Sequence, residues 1–274
     1  MTAPVLIAQI SDLHIKRPGE LAYGQVDTAA ALTRCIAHLN RFRPRPKLVV
    51  ITGDLVDSGR EEEYAHLREL LAPLELPMAA IPGNHDDRER FRRTFPSVAS
   101  GSANCAIDVE GLRLLLLDSS VPGKDYGELN SDTLAWLESR LAEHPDRPAL
   151  VFLHHPPFAT GIAHMDRQNL RNAPDLAAIV RQHAQIRLIA AGHVHRAVTT
   201  LFAGAPAGIC PAPNHAVDLD LGNERAPALR VEPPAFHLHA WLAGGRFGDL
   251  VTHLVPIGDF PGPYPFFDAK GELL

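Results

Sequence analysis

Short apolar runs that alternate with amphipathic segments restrict the fold of this chain more than any other feature. Residues 5–11 and 48–52 are brief and almost wholly apolar, which is typical of strands buried on both faces of a sheet. Residues 27–42 and 61–71 place apolar side chains at helical spacing, and Ser131 is expected to cap a later helix of the same kind. The alternation predicts an α/β fold in which helices cover sheets.

The second half of the chain adds antiparallel pairs. Residues 105–109 and 112–118 are separated by a Glu-Gly pair, which is typical of a tight hairpin. Three further strands are expected towards the C-terminus, over residues 197–202, 236–242 and 247–256. Parallel and antiparallel strands together predict mixed sheets in a layered α/β (mixed α+β) sandwich.

Composition removes several classes of protein. The 274 residues are 46% apolar and 21% charged, which is ordinary for a globular chain. A formal net charge of −6 argues against a binder of nucleic-acid polymers or of membrane surfaces, and we expect neither as a partner. Cys35, Cys105 and Cys210 are too scattered for a disulfide framework, and no leader or spanning segment is recognisable. We therefore expect a cytoplasmic protein.

Polar side chains that can bind metals follow five predicted strands, which are residues 5–11, 48–52, 78–81, 149–153 and 186–191. Ligands of α/β proteins bind outside the carboxyl ends of strands, so these side chains are expected to converge on one edge. Carboxylate, amide oxygen and imidazole suit divalent ions of intermediate hardness. The residues are Asp12, His14, Asp54, Asn84, His85, His154, His193 and His195.

Spacing adds a geometric expectation. Asp12 and His14 are two residues apart, as are His193 and His195, so in extended segments each pair would project to one side. A carboxylate such as that of Asp54 can bridge two cations about 3.5–4 Å apart. Neighbouring glycines would let the backbone turn sharply beside the ions.

Each motif alone has an ordinary structural explanation, such as a capping aspartate or a polar turn, but the five in this order do not. The series D-x-H, GD, GNHD, HH and GHxH resembles that of the calcineurin-like metallophosphoesterases over roughly residues 5–200. The runs RPGELAYG, IPGNHDD, LLLLDSS, FLHHPP with a downstream HMD, and PAPNHAV are similar to the class III cyclic-nucleotide phosphodiesterase branch, and within it to the bacterial glycerophosphodiesterases.

The resemblance implies a four-layer αββα sandwich and two divalent ions, with Mn, Fe, Zn and Co all compatible. The first ion would be held by Asp12, His14 and His195 and the second by Asn84, His154 and His193, with Asp54 bridging the two. His85 would contact the phosphate and act on the leaving alkoxide.

Other residues receive weaker roles. By resemblance, Asn84, His215 and Tyr23 would also contact substrate. His155 is expected beside the ions rather than on them, and Asp57 and Asp86 are expected to orient ligand histidines. We interpret His164 as an ordinary loop histidine.

The domain organisation expected from these patterns has three parts. Residues 1–203 would form the catalytic core, and residues 235–274 would supply strands that return to the core and a tail. Between them, residues 204–234 are rich in proline and show no helical pattern, which indicates a cap or oligomerisation excursion.

The implied activity is hydrolysis of small phosphodiesters, either glycerophosphodiesters or 3′,5′-cyclic nucleotides, by metal-activated hydroxide. A phosphomonoesterase on the same metal core is the alternative, and a catalytically inactive binding or scaffold protein is a third hypothesis. The resemblance also implies a homo-oligomer.

Overall fold

The computed structural model describes residues 3–96, 103–222, 224–244 and 249–274. Its strands are β1 Val5–Ile10, β2 Leu48–Thr52, β3 Met78–Ile81, β4 Cys105–Val109, β5 Leu112–Leu117, β6 Ala149–Leu153, β7 Ile186–Ala191, β8 Val198–Phe202, β9 Ala205–Ile209, β10 Ala216–Val217, β11 Leu229–Arg230, β12 Ala235–Trp241 and β13 Leu250–Pro256. Its helices are α1 Thr28–Arg41, α2 Glu61–Leu71, α3 Arg88–Thr94, α4 Ser131–Ala142, α5 Ala163–Asp166 and α6 Ala173–Gln182.

Two mixed sheets form the centre of the fold, as the sequence predicted. The first has the strand order β13-β12-β1-β2-β3, in which β1, β2 and β3 are parallel and β12 and β13 are antiparallel. The second has the order β4-β5-β6-β7-β9-β8, with four parallel strands inside and an antiparallel strand at each edge. Strands β10 and β11 form a separate two-stranded ribbon.

Strand β1 is buried on both faces and therefore separates two layers of core. Ile7 packs with apolar residues of the second sheet, whereas Leu6 and Ile10 pack with residues of α1 and α2. A strand alternates its side chains between two faces, so a wholly apolar run is what a sheet needs when it is covered on both sides. A third core cluster joins α4 and α6 to the outer face of the second sheet. The layers are therefore helices, sheet, sheet and helices.

The helices begin and end close to their predicted limits. Helix α1 buries Leu32, Ile36 and Leu39 along one face, and the carboxylate of Asp27 accepts a hydrogen bond from the Ala30 N–H at its start. The prediction that Ser131 caps α4 was wrong by one position. The cap is the preceding Asn130, which also has a short acceptor side chain.

The segment from 204 to 234 differs in part from the expected excursion. Its first residues form β9, which pairs in parallel with β7 inside the second sheet, despite Pro206 and Gly208. Only the residues after β9 leave the sheets and carry the β10–β11 ribbon. The strand expected over residues 247–256 is present as β13, while residues 247 and 248 lie outside the described part of the chain. Within that part, no helix has the length and apolar character needed to cross a membrane.

Candidate metal centre

The predicted ligands meet where the carboxyl ends of the two sheets adjoin. The first sheet supplies Asp12 and His14 after β1, Asp54 after β2 and Asn84 after β3, and the second supplies His154 after β6 and His193 and His195 after β7. All are buried except Asn84, which is partly buried. The ligands were expected at a single sheet edge. They lie instead along the seam between the two sheets, and each sheet contributes to the cluster.

One group of possible ligand atoms comes from Asp12, His14, Asp54 and His195, whose atoms all lie within 4.8 Å of one another. The Nε2 atoms of His14 and His195 are 3.2 Å apart. His14 Nε2 lies 3.6 Å from Asp54 Oδ2, and His195 Nε2 lies 3.5 Å from Asp12 Oδ1. The four side chains thus converge from strands of both sheets.

A second group surrounds His154. Its Nε2 lies 3.1 Å from Asn84 Oδ1, 3.3 Å from His193 Nδ1 and 3.3 Å from Asp54 Oδ2. Asp54 Oδ2 is therefore close to nitrogen atoms of both groups. This is the arrangement that a bridging carboxylate requires.

The residues present fit a pair of divalent ions. Carboxylate, amide oxygen and imidazole are suitable donors for such ions. Nδ1 of His154 donates to a backbone carbonyl, so in the neutral ring the lone pair of Nε2 faces the oxygens Oδ1 of Asn84 and Oδ2 of Asp54. Three buried lone-pair donors that face one another are what a bound cation requires, since a carboxylate, an amide oxygen and a neutral imidazole nitrogen cannot hydrogen-bond to each other.

The backbone of five ligand positions differs from the extended geometry predicted. All five have positive φ, which is the left-handed region of backbone conformation. Residues other than glycine are uncommon and strained in that region. The paired side chains therefore converge because the chain curls at each ligand, not because alternate residues of a strand share a face. The positive φ values are 57° at Asp12, 46° at His14, 49° at Asp54, 75° at His193 and 57° at His195.

Two glycines allow the loops to close around the cluster, as the sequence predicted. A Cβ added at Gly83 would lie 2.2 Å from Asp54 Oδ1, and one at Gly192 would lie 2.0 Å from Ser11 Oγ. Neither distance is compatible with a side chain, so these positions require glycine.

Hydrogen bonds orient several ligands. His154 Nδ1 donates to the Thr52 carbonyl oxygen at 2.8 Å, which leaves its Nε2 directed at the cluster. The Asp12 carboxylate accepts from the His193 N–H at 3.0 Å. Asp57 Oδ1 lies 3.4 Å from His14 Nδ1, an ion-pair contact rather than a hydrogen bond, and the orienting role expected of Asp57 stays a prediction.

Asp86 does not contact a ligand histidine in this way. Its carboxylate instead accepts hydrogen bonds from the backbone N–H groups of Leu55 and Gly83 and from the Tyr64 hydroxyl. Asp86 therefore joins the loop after β2 to the loop after β3, and it orients ligands through the backbone.

Burial and neighbouring charge set the protonation of the cluster. Burial raises the pKa of Asp12 to about 6 and lowers that of His193 to about 3 and that of His195 well below its ordinary value. Burial also opposes ionisation of Asp54, but the neighbouring histidines, His154 foremost, hold its pKa well below the usual range. The Asp54 charge in turn raises the pKa of His154 to about 9 against the effect of burial. Neutral imidazoles and an ionised carboxylate are the forms that bind cations, so His193, His195 and Asp54 are already in that form, whereas His154 would release its proton when an ion binds.

The predicted substrate residues line one cavity of about 370 Å³ above the cluster. His85 Nδ1 donates to the Asp57 carbonyl oxygen at 2.6 Å, and its ring centroid lies 4.6 Å from that of His14. The His215 ring lies 4.6 Å from the ring of His195, and the exposed Tyr23 ring lies 5.4 Å from His215. All three reach the same space.

His155 is adjacent to the cluster. Its ring lies 4.8 Å from those of His154 and His193, and the three histidines could themselves hold an ion. Its Nδ1, however, is 2.9 Å from Ser119 Oγ. The placement of His155 beside the ions rather than on them stays a prediction.

The rule that ligands follow strands missed one wall of the cavity. His164, Met165 and Gln168 of the α5 region line it, together with Val217 of β10 and residues 227–229 of the ribbon. The interpretation of His164 as an ordinary histidine outside the motifs stays a prediction, although the residue lines the cavity. The HMD run that contains it was the available signal, but a short helix does not follow from strand periodicity.

Comparison with known proteins agrees with this geometry. The family model of calcineurin-like phosphoesterases matches residues 5–197. A probable glycerophosphodiester phosphodiesterase, GpdQ, of Arcobacter nitrofigilis is 41% identical over 98% of this chain and 100% of its own length. A cAMP/cGMP dual specificity phosphodiesterase of Mycobacterium tuberculosis is 34% identical over 78% of this chain and 69% of its own.

Solved structures agree at the level of the fold. A dimetal phosphatase from Danio rerio superposes with a TM-score of 0.63 at 14% identity, covering 93% of this chain and 100% of that one. The two-sheet sandwich, the ligand cluster at its seam and the matched family model lead to one assignment: the chain belongs to the calcineurin-like phosphoesterase family.

Proposed function

We propose that this protein is a metal-dependent phosphodiesterase that hydrolyses small diesters, namely glycerophosphodiesters, 3′,5′-cyclic nucleotides or both. The observation that carries the proposal is the position of Asp54, whose Oδ2 lies within 3.6 Å of His14 and 3.3 Å of His154 beneath an open cavity. The relatives named as glycerophosphodiester and cyclic-nucleotide phosphodiesterases support the substrate class.

In this proposal one ion would be held by Asp12, His14 and His195 and the other by Asn84, His154 and His193, and Asp54 would be available to both. Divalent ions held in this way would lower the pKa of water and neutralise charge on the phosphoryl oxygens. The donor set accommodates Mn, Fe, Zn or Co.

His85 has the geometry of a proton donor to the leaving alkoxide. The Asp57 carbonyl can only accept, so Nδ1 carries a proton, and Nε2 carries one only when the ring is charged. Burial lowers the pKa of His85, but the charge of Asp54 and the bond to Asp57 outweigh it and raise that pKa above its ordinary value. In its charged form the ring also carries a proton on Nε2, which it can deliver to the departing oxygen.

The lining of the cavity favours a diester over the alternative monoester. Among the described residues that line it there is no lysine or arginine, and Asp54 supplies the one carboxylate. Beyond the ions and the histidines, this wall therefore offers no positive side chain for the second negative charge that a phosphomonoester carries and a diester lacks. Val217, Pro227 and Leu229 give one side of the cavity an apolar surface that suits an uncharged alcohol arm.

A parallel rate comparison tests the proposal. Protein stripped with EDTA and reloaded with Mn²⁺ would be assayed on glycerophosphoethanolamine, cyclic AMP, bis-nitrophenyl phosphate and nitrophenyl phosphate. We expect kcat/KM for at least one natural diester to exceed that for the monoester by tenfold or more, and no turnover before Mn²⁺ is returned. Preference for the monoester would establish the alternative activity, and the absence of all turnover would support an inactive scaffold.

We further propose a homo-oligomer that forms through the C-terminal strands and tail and the excursion after β9. Strand β13 lies at the edge of the first sheet, its outer side pairs with no other described strand, and most of its side chains are exposed. The residues exposed beyond it include Phe260, Tyr264, Phe266 and Phe267. Exposed edges and clustered aromatic residues are typical of association surfaces. A monomeric mass by light scattering would refute this.

Because Cys35, Cys105 and Cys210 are all unpaired, we also propose a reducing, cytoplasmic location.

A further inference from the structure

A buried amide lies between the two sheets directly beneath the metal centre. Gln9 of β1 is fully buried, and its strand neighbours on the same face, Val5 and Ile7, belong to the apolar core between the sheets. A primary amide in such a place is costly unless its donors and acceptor are satisfied. The cost implies that this residue has a role that an aliphatic side chain would not fill.

Both N–H donors of the Gln9 amide and its oxygen have partners. Its Nε2 donates to Thr52 Oγ1 and to the Ala191 carbonyl oxygen, both at 3.0 Å. Its Oε1 lies 3.1 Å from Nε2 of His239 on β12. Gln9 thus joins its own strand to three others, and the Ala191 bond crosses from the first sheet to the second.

His239 fixes which way the amide points. Its Nδ1 lies 2.9 Å from Thr252 Oγ1 on β13, and the hydroxyl can donate there while Nε2–H donates to Gln9 Oε1. Burial lowers the pKa of His239 to about 3, so the ring is neutral and carries one proton, as this pattern requires. The Gln9 oxygen therefore faces His239, and its NH₂ faces Thr52 and Ala191.

The groups that Gln9 holds are the last residues before the metal ligands. Ala191 ends β7 and is followed, after one glycine, by His193. Thr52 ends β2, and its carbonyl oxygen accepts the hydrogen bond that orients His154. Gln9 therefore contacts a residue close to the ligands in each sheet: the side chain of Thr52 in the first and the backbone of Ala191 in the second. Gln9 is not itself a ligand.

We propose that Gln9, oriented by His239, is a positioning residue that sets the separation of the two sheets at the metal centre and so the spacing of the ions. The inference rests on the dinuclear site proposed above. Each ion takes ligands from both sheets, so a change in sheet separation alters both coordination spheres at once. Residues that support ligands in this way typically change metal affinity by about 10- to 100-fold.

The test compares Gln9→Met with the matched control Gln185→Met. Methionine keeps the unbranched shape and removes the amide. Gln185 is also buried, and its amide donates to the Leu141 carbonyl oxygen at 3.1 Å, but it precedes β7 at the end of that strand remote from the ligands. Both variants lose a buried amide, so a purely structural effect would lower Tm in both.

Apoprotein would be titrated with Mn²⁺ by calorimetry, with electron paramagnetic resonance reporting magnetic coupling between the ions. We expect Gln9→Met to bind the second Mn²⁺ at least tenfold more weakly and to lose most of the coupled signal, while Gln185→Met retains both. Unchanged affinity and coupling in Gln9→Met would overturn the proposal. Failure of the parent protein to bind two ions would instead refute the dinuclear site itself.

A second pair of variants applies if Gln9→Met does not fold. His239→Gln retains an N–H that can donate to Gln9 Oε1, whereas His239→Leu does not. We expect the coupled signal to survive in the glutamine variant and to weaken in the leucine variant. Equal signals in the two would show that the orientation of Gln9 has no influence on the ions.

Discussion

At the scale of single residues, the ligands occupy conformations that their side chains disfavour. A left-handed backbone at a residue other than glycine costs about 1–3 kcal/mol, against a typical total stability of about 5–15 kcal/mol. Asp54 and His193 are two of the five ligands with positive φ. The surrounding loops hold them there through Gly83 and Gly192, where no side chain fits. Strain concentrated at ligands is what a site shaped for bound ions would contain.

The proton-donor role of His85 predicts a dependence on the leaving group. His85→Ala should lower kcat by about 10²–10⁴-fold for diesters with poorly departing alkoxides, and much less for bis-nitrophenyl phosphate, whose leaving group needs no proton. His183→Ala, at the C-terminal end of α6 and outside the cavity, is the control. Equal losses of kcat on the two substrates would rule out the donor role.

The proton-donor role of His85 also predicts how activity depends on pH. The donor works in its charged form, so kcat/KM for the poorly departing alkoxide should fall as pH rises through the pKa of His85. In the protein without ions, burial lowers that pKa and the charge of Asp54 raises it above its ordinary value. His85→Ala should remove this alkaline decline in a pH–rate profile measured with Mn²⁺ in excess.

The residue scale also marks where prediction from sequence stopped. The types and order of Asp12, Asp54 and His193 were sufficient to nominate them as ligands. Their backbone conformation was not accessible, because aspartate and histidine show no local preference strong enough to signal a left-handed turn. The left-handed conformation is explained only by the folded structure, in which ligands from two sheets must point towards the same place.

At the scale of elements, the β10–β11 ribbon forms one wall of the cavity. Val217 and Leu229 line the cavity from its two strands, and the Asp218 carboxylate accepts a hydrogen bond from Arg230 Nε at 2.7 Å. Asp218→Asn should loosen the ribbon and raise KM several-fold with little change in kcat. Asp108 lies on β4 and pairs in a similar way with Arg113 of β5 and with Arg147, so Asp108→Asn is the control and should leave both constants unchanged.

Steady-state kinetics on the best natural diester would measure this effect. A fall in kcat with an unchanged KM would place the ribbon in the chemical step and contradict its assignment to substrate binding. The same variants compared on glycerophosphoethanolamine and cyclic AMP would reveal which alcohol arm lies against the ribbon.

Periodicity predicted those elements whose environment is uniform along their length. Strands β1 and β2 are buried on both faces, so their apolar runs were unambiguous. Strand β9 was missed because Pro206 and Gly208 disfavour a strand locally, and pairing with β7 decides its conformation. Helix α5 was missed because four residues are too few for a period. Tertiary contacts determine both.

At the scale of the whole molecule, bound ions should stabilise the sandwich as well as activate it. Any ligand that binds only the folded chain raises its stability, by about 2.7 kcal/mol at one hundred times the dissociation constant. EDTA should therefore lower Tm, and Mn²⁺ should restore it, in scanning calorimetry. Asp54→Ala should bind clearly fewer than two equivalents of metal and show a smaller change in Tm. Full occupancy in that variant would exclude the bridging role of Asp54.

Strand β1 has neighbours from opposite ends of the chain. It pairs in parallel with β2, but its other edge is covered by β12, in the register Ile7 to His239 and Gln9 to His237. A growing polypeptide carries all seven ligands by residue 195, some forty residues before β12 begins at Ala235. Until those residues leave the ribosome, the strand that leads to Asp12 has an open edge and Gln9 lacks its bond to His239. The first sheet therefore cannot be completed during synthesis of the ligand-bearing part of the chain, and it closes only when a segment made later returns to its centre.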